Sequence, residues 1–523
     1  MADEDKETQN GQEEPEKEPL NTKEKNKCKD FKNKTFREKL RHVKSNITVE
    51  PILVGIFIPS MLSRLAIQNL NLDKACRVKL GYSDEICNSL IHKNGTNSSE
   101  YEREVQQVIS VIEAWKSIIQ TGLPTVLILF MGAWSDRTGN RKVCILLPIL
   151  GEFVTCLSNI LSTYFFYEIP VEVTMVFEAL FVAAVGGWVM LFLGVFSYIS
   201  DITTEETRTF RVGLANLCMT ASIPIGTALS GVLLKYLGYY GIFGISATVY
   251  MLTFLYGMVY LKKVTKRENP DELEKKKDFK VGDVVELLKE TADVALKKRP
   301  NNLRIKIILT LLIVSIIYGP THGERIVMYL FVRYRLKWNA IRYSIYSTYS
   351  IITHSIGALF SISILSRRWG FPDAMLCLIS ISSKCVGSVM TAFVRNDFDM
   401  FMVPLVEILN ATTFTSLRSM ASKLVSSAEL GKMNSLISLV ETLAALLFDP
   451  TYSTMYFASI KYLSMAGIVF LFSAAMTVPA GIGLIWFLIQ YRRERKNKKN
   501  SDLNNVEELK CDIQKELAEL CEE

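Results

Sequence analysis

Apolar residues along this chain gather into long blocks parted by short polar stretches, instead of spreading evenly as in a soluble core. Each block reaches the ~20 residues that a helix needs to cross about 30 Å of hydrocarbon. A helix satisfies its own backbone N–H and C=O groups inside lipid, which an isolated strand or loop does not. The pattern predicts twelve spans, at 49–70, 108–132, 143–165, 172–200, 210–235 and 238–261, then 303–331, 340–366, 372–394, 397–424, 431–457 and 461–490. Between the sixth and seventh, the lysine run Lys275-Lys276-Lys277 keeps its surroundings out of lipid. The expected protein is an all-α membrane protein with 12 transmembrane helices: a polar head (1–48), a six-helix bundle (49–261), a cytosolic central loop (262–302), a second six-helix bundle (303–490) and a tail (491–523).

Charge sets the orientation. Lys and Arg collect in alternate loops: Arg137, Arg141 and Lys142; Arg208 and Arg211; the central run; Arg367 and Arg368; Lys423 and Lys432; then Arg492, Arg493, Arg495 and Lys496. By the positive-inside rule those loops and both termini face the cytosol. Arg333, Arg335, Lys337 and Arg342 stand against this assignment, because they fall between spans 7 and 8 on the outer side. The net charge of +7 follows from the loop cations and implies no nucleic-acid partner. The first outer loop, 71–107, holds the sequons Asn94-Gly-Thr96 and Asn97-Ser-Ser99 and is expected to be glycosylated. It also holds Cys76 and Cys87, the cysteines expected to meet an oxidising compartment. A bridge between them is expected, the alternative being an unbridged pair. Residues 1–44 are polar and charged with no signal-peptide pattern, so span 1 is expected to act as the targeting anchor. In the tail, Val506, Leu509, Ile513, Leu517 and Leu520 form a helical stripe, suited to a partner or to a solvated, fraying helix.

Residues 132–142, Gly132-Ala-Trp-Ser-Asp136-Arg137-Thr-Gly139-Asn-Arg141-Lys142, form a tight polar turn between spans 2 and 3. Gly132 and Gly139 let backbones approach closely, while Asp136 is placed to pair with a cation or a helix N-terminus. The run resembles G-x-x-x-D-R-x-G-R-[RK], the loop joining helices 2 and 3 of major facilitator superfamily carriers, except that Asn140 takes a place usually basic. The alternative is a polar loop that only ends two helices. A weaker echo, Leu365-Ser-Arg367-Arg368-Trp-Gly370-Phe-Pro372, lies between spans 8 and 9 and lacks the Asp. The resemblance implies two parallel six-helix repeats that rock about a midplane cavity.

A narrower likeness rests on Gly132-Ala-Trp-Ser-Asp136, Phe196-Ser-Tyr198-Ile-Ser-Asp201, Arg208-Thr-Phe-Arg211 and Arg418-Ser-Met-Ala-Ser-Lys423. These are similar to segments of solute carrier family 46, the proton-coupled folate transporter family. Gly323-Glu324-Arg325 and Tyr329-Leu-Phe-Val-Arg333 look like its divergent invertebrate members. The likeness covers most of the membrane domain and neither tail. It implies that Arg418 takes the part of the span-10 arginine that binds substrate and proton in the folate carrier. Asn216 stands at the position of a span-5 glutamate important there for proton coupling, and an amide does not titrate. His322 is displaced from the family's span-7 histidine.

Ionisable residues at bilayer depth are costly unless paired or wet, which makes them candidate site residues. His322, Glu324 and Arg325 follow Gly319-Pro320 in span 7, where a helix break is expected to line a cavity. Histidine is the side chain whose ordinary titration falls near neutrality, so His322 suits a coupling proton or a plain hydrogen-bonded packing role. Glu407 and Arg418 lie eleven residues apart in span 10, three helical turns, and are expected to share a face. The guanidinium of Arg418 can grip a carboxylate or phosphate at two points, unless a gate salt bridge holds it. Lys384 in span 9 and Glu441 in span 11 fall near mid-bilayer, placed to pair or to serve the cavity. In the first half Arg64, Glu113, Lys116, Glu152 and Glu178 are intramembrane; Arg64 and Glu113 are expected to pair, and Gly186-Gly187-Trp188 to allow close helix contact.

The chain has no Walker lysine loop, no metal-spaced His/Cys set and four histidines, His42, His92, His322 and His354. Enzyme chemistry, ATP-driven pumping, a metal and a cofactor are not expected. The sequence reads as a secondary transporter coupling a small organic anion to protons by alternating access, monomeric by default. Its expected place is the plasma membrane, or alternatively a lysosomal or endosomal membrane. The likeness implies a folate-like, muropeptide-like or cyclic-dinucleotide-like solute. The alternative is a transport-inactive membrane scaffold or sensor that signals through head, central loop and tail. Asn216 favours that reading, and the cost of so many intramembrane charges opposes it.

Overall fold

The computed structural model describes residues 48–92, 98–203, 205–261, 302–426, 429–463 and 465–493, with 289, 293–297 and 299 of the central segment. The head, the tail with its apolar stripe, most of the central loop, and both sequons, Asn94 and Asn97, lie outside the described residues. Every regular element among the described residues is helical. Ten stretches among the described residues are long and apolar enough to cross a membrane. Ser98–Thr138 is a further helix of 41 residues. Glu205–Tyr260, 56 residues, breaks at Gly238, whose φ of 64° and ψ of −168° are not helical. At 1.5 Å per residue that stretch would run about 84 Å, far beyond one crossing. Adding the one and dividing the other brings the helices into line with twelve spans.

Three spans depart from the expected form. Span 4 is two helices, Val171–Ala184 and Gly187–Ile202, hinged at Gly186 (φ 79°), so the glycine pair interrupts a helix rather than only easing its packing. Span 7 runs unbroken over Leu303–Leu336 with Pro320 inside it, and the break expected at Gly319-Pro320 is absent. Gly319 and Gly323 serve instead as contact points, where an added Cβ would strike Phe448 and Tyr452 of span 11. The break lies in span 10: Asp397–Val406 ends, a short 3-10 turn covers Asn410–Thr412, and Thr413–Ser422 resumes.

The two halves keep separate cores over most of their depth. One groups Val49, Ile52, Ile56, Ile145, Leu191 and Tyr250 of the first half. Another groups Ile307, Ile313, Cys377, Leu417, Ile437 and Leu484 of the second. A third core joins both, packing Leu72, Cys76, Val105 and Ile109 with Phe331, Tyr452, Tyr456 and Phe470. It lies at the end that carries the first loop, called outer below. There Cys76 and Cys87 are disulfide-bonded as expected, and Arg77 ties Asp73, Asp84 and the Asn88 amide oxygen beside them.

Polar contacts across the halves gather at this same outer end, between residues whose side chains are described. Arg333 of span 7 donates to Glu102 of span 2 at 2.7 Å, to Asn69 Oδ1 at 3.3 Å and to the Leu90 carbonyl at 3.2 Å. The Tyr329 hydroxyl donates to Asn69 Oδ1 at 2.8 Å, and the Tyr456 hydroxyl to Gln106 Oε1 at 2.8 Å. Arg333 and Glu102 are only 5% and 4% exposed. The cations between spans 7 and 8 are thus engaged on the outer side: Arg333 as above, Arg335 to the Val394 carbonyl, and Arg342 to Asp397. Glu102 and Asp397 neutralise Arg333 and Arg342, which reduces the excess of positive charge in this outer loop.

At the inner end the halves repeat one device with its charges exchanged. Gly139 (φ 63°) donates its N–H to the Ser135 carbonyl at 3.0 Å, and Gly370 (φ 65°) does the same to Ser366 at 3.1 Å. Both positions need the left-handed backbone that glycine adopts without strain. The helix after the first turn begins with Arg141, whose guanidinium meets Asp201 at the end of span 4 at 3.0 Å and Ser135 Oγ at 3.0 Å. The helix after the second begins with Asp373, which meets Lys423 at the end of span 10 at 2.5 Å. Lys142 donates to the Met258 carbonyl. Gly132 falls within the helix Ser98–Thr138, and the side chains of Asp136 and Arg137 lie outside the described residues.

The outer seal generates a prediction. Replacing Arg333 by Met leaves Glu102 buried without its cation, a defect worth about 3–5 kcal/mol against the sealed state. Spin labels on the exposed residues Glu85 and Lys337 should then show a longer-distance population in Arg333→Met than in wild type. Matching distance distributions would contradict the seal.

Candidate functional site

The second half holds a buried charge node built from three helices. Lys384 of span 9 donates to Glu324 of span 7 at 2.6 Å and to Glu407 of span 10 at 3.0 Å. Ser388, one turn along from Lys384, donates to the other Glu324 oxygen at 3.1 Å. His354 of span 8 stands 3.8 Å from Glu407. One ammonium between two carboxylates leaves a net charge of −1 when all three are ionised, in a site where a lone charge is expensive. A proton or cation neutralises it.

The break in span 10 puts Glu407 there. Glu407 caps Asp397–Val406, and its carboxylate turns inward across span 9. Gly387 makes the space, since a Cβ at that position would lie 2.1 Å from Glu407 Cγ. Gly357 of span 8 likewise admits the Ile408 carbonyl. The break also separates Glu407 from Arg418, so the two do not share a face as an unbroken helix would require. Glu407 is buried in the node, whereas Arg418 is 45% exposed and donates to Glu441 of span 11 at 2.7 Å.

Span 7 distributes its triplet in three directions. Glu324 enters the node. His322 stands with Nδ1 2.8 Å from Asp449 of span 11, a carboxylate that sequence reasoning missed although Asp449-Pro450 interrupts an apolar run. The His322 ring stacks on Tyr318 at 5.7 Å, and Tyr318 meets Phe414 edge-on at 5.5 Å. Arg325 keeps an exposed side chain with no ion pair to a described residue. Tyr318 is within electrostatic reach of Arg325, Arg418, Glu441 and Asp449, so these groups border one region.

In the first half, Lys116 of span 2 sits between Glu178 of span 4 at 3.0 Å and Glu113 at 3.6 Å, with the Asn71 amide donating to Glu178 at 3.1 Å. Glu113 therefore pairs with Lys116, one turn away, and not with Arg64. Arg64 is exposed and has no carboxylate partner among the described residues. Glu152 has Tyr250 as its hydrogen-bond partner, at 3.5 Å. Asn216 is exposed on span 5.

Comparison with known proteins places this arrangement. The Major Facilitator Superfamily profile matches residues 109–449. The chain belongs to the Major Facilitator Superfamily. Within that superfamily it is similar to the probable peptidoglycan muropeptide transporter SLC46 of Drosophila melanogaster, at 21% identity over 86% of each chain. It is also similar to the human lysosomal proton-coupled steroid conjugate and bile acid symporter SLC46A3, at 24% over 73% of this chain and 81% of that one. The rat proton-coupled folate transporter matches at 22%, over 77% and 84%. These superfamily relatives are solute transporters, not enzymes. Among solved structures, a D-xylose-proton symporter superposes with a TM-score of 0.57 at 13% identity, covering 84% of this chain and 96% of that one. The human organic anion transporter MFSD10 does so with 0.55 at 12%, covering 84% and 98%. At such identities they show the shared fold.

The charge node is testable by stability. Lys384→Met leaves Glu324 and Glu407 face to face without a cation and should cost about 3–5 kcal/mol, read as a lowered melting temperature of the purified protein. Adding Glu407→Gln should recover part of the loss. Equal melting of wild type and Lys384→Met would contradict the node.

Proposed function

We propose that this superfamily member is a secondary active carrier that moves an organic anion together with a proton by alternating access. The observation that carries the reading is the Arg418–Glu441 pair: a half-exposed guanidinium held by one carboxylate from the neighbouring helix. A forked guanidinium can bind a solute carboxylate or phosphate at two points, whereas Glu441 takes one of its N–H groups, at 2.7 Å. Solute and Glu441 therefore compete for Arg418. A proton on Glu441 removes the competitor, so proton and anion load together and neither is favoured alone. The Lys384 node and the His322–Asp449 dyad supply two further groups whose charge a proton changes.

Relatives support the class of cargo, since the three named above carry muropeptide, steroid conjugate or bile acid, and folate in their names. In this reading the disulfide-bearing side faces the extracellular medium or, equivalently, an organelle lumen. The proton gradient from an acidified outer space then drives the solute inward in either membrane.

The test is uptake into cells or proteoliposomes with a panel of folate-like, muropeptide-like and cyclic-dinucleotide-like anions. Arg418→Ala should abolish uptake while surface expression stays intact; retained uptake would remove Arg418 from the mechanism. Uptake should rise as the outer medium falls from about pH 7.5 to about pH 5.5, the range over which a proton-coupled carrier gains driving force. In Glu441→Gln, where the competitor is permanently neutral, that rise should flatten. An unchanged pH profile in Glu441→Gln would assign the coupling proton elsewhere.

A further inference from the structure

Arg64 and Arg325 are the intramembrane arginines whose ion pairing the fold leaves open. They come from opposite halves. Arg64 lies on span 1 five residues inward of Asn69, and Arg325 on span 7 four residues inward of Tyr329. The Tyr329 hydroxyl donates to Asn69 Oδ1 at 2.8 Å, which fixes spans 1 and 7 side by side at that level. At 1.5 Å per residue both arginines therefore sit about 6–8 Å beneath the outer seal. Both side chains are exposed, and each guanidinium lies within electrostatic reach of the other. Tyr343 of span 8, in the second half, is likewise within electrostatic reach of Arg64.

Two like charges brought together under a closed gate repel each other, and no described carboxylate forms an ion pair with either: Glu324 and Asp449 lie within electrostatic reach of Arg325 but are already bonded to Lys384 and His322. Elsewhere in this protein each described intramembrane cation of the nodes is matched: Lys116 by Glu113 and Glu178, Lys384 by Glu324 and Glu407, and Arg333 by Glu102. The contrast marks Arg64 and Arg325 as cations whose counter-charge arrives from outside the chain.

We propose that Arg64 and Arg325 form an oxyanion clamp shared between the halves, which grips a carboxylate, sulfate or phosphate group of the transported solute. Each guanidinium presents its planar fork of N–H donors, so one tetrahedral or planar oxyanion accepts from both. Because the clamp has one jaw on each half, it exists only while the outer end is closed. A bound oxyanion cancels the repulsion and favours the sealed arrangement; its departure restores the repulsion and loosens it. The clamp deepens the carrier reading given above and rests on it for the identity of the ligand as cargo. Arg418, on the inner part of span 10, would take a second acidic group, with Tyr318 within electrostatic reach of both Arg325 and Arg418. The substrate class is therefore an elongated organic anion bearing an oxyanion at or near each end.

The experiment uses the full-length protein in nanodiscs of neutral phosphatidylcholine, with inorganic sulfate as the probe and sodium chloride at matched ionic strength as the reference. Sulfate should raise the melting temperature of wild type above the chloride value. Arg64→Gln and Arg325→Gln should each weaken the apparent sulfate affinity at least about tenfold, and the double variant should be little worse than either single one, because one jaw alone does not grip. Arg325→Glu supplies an internal counter-charge to Arg64; it should melt higher than wild type in chloride and lose the sulfate response. No sulfate-specific stabilisation of wild type, an unaltered response in both glutamine variants, or an Arg325→Glu protein no more stable than Arg325→Gln would each overturn the clamp. A sulfate response that vanishes when anionic phosphatidylglycerol is added to the nanodiscs would assign the arginines to a lipid headgroup and overturn the solute reading. Sulfate binding is read at equilibrium without flux, so its failure is distinct from a failure of the transport reading, which the uptake assay tests.

Discussion

An ion inside a bilayer needs a counter-ion or water, and that requirement organises this protein. Where the counter-ion is another helix's side chain, the pair works as a staple: Lys384 binds spans 7, 9 and 10 through Glu324 and Glu407, and Lys116 binds span 2 to span 4 through Glu178. Both staples lie within one half and make each half a rigid body. Removing one partner from such a pair is costly because it strands the other. Arg333 and Glu102 use the same physics across the halves, and so join the two at the outer end.

The distribution of apolar packing follows the same division. Each half has its own core at the inner levels, while the shared core and the cross-half hydrogen bonds coincide at the outer end. A rocking carrier needs rigid halves and one breakable contact region at a time. At the inner end, Arg141–Asp201 and Asp373–Lys423 tie corresponding helix ends within each half with exchanged polarity. The exchange suits a parallel repeat in which the geometry of the turn, set by Gly139 and Gly370, is kept while the sign of the pair is free.

Much of the fold was legible in the sequence because bilayer thickness imposes a length on apolar blocks, and twelve blocks divided by a lysine-rich loop suffice to specify two bundles. The disulfide was legible from its compartment. The site was less so. Helix periodicity assumes an unbroken helix, so Glu407 and Arg418 were placed on one face when span 10 unwinds between them. A proline is a visible helix breaker, yet Pro320 is accommodated and the real hinges lie at Gly186 and at Glu407. Pairing across helices depends on rotation about each axis, which a linear sequence does not reveal. A linear reading therefore pairs Arg64 with Glu113, which Lys116 takes by lying one turn away. Asp449 was overlooked beside Pro450, and His322 found it.

Buried intramembrane ion pairs are dry, whereas the exposed guanidiniums of Arg64, Arg325 and Arg418 are wet. Single cysteines placed at positions 64, 325 and 418 mark the wet set, and cysteines replacing the buried Ser117 and Ser388 mark the dry set beside Lys116 and Lys384. The direct measurement is their rate of reaction with a small, membrane-impermeant thiol reagent applied from the inner side of oriented vesicles. Fast labelling of the first three and protection of the last two are expected. Protection of positions 64, 325 and 418 to the same degree as the serine positions would contradict that expectation.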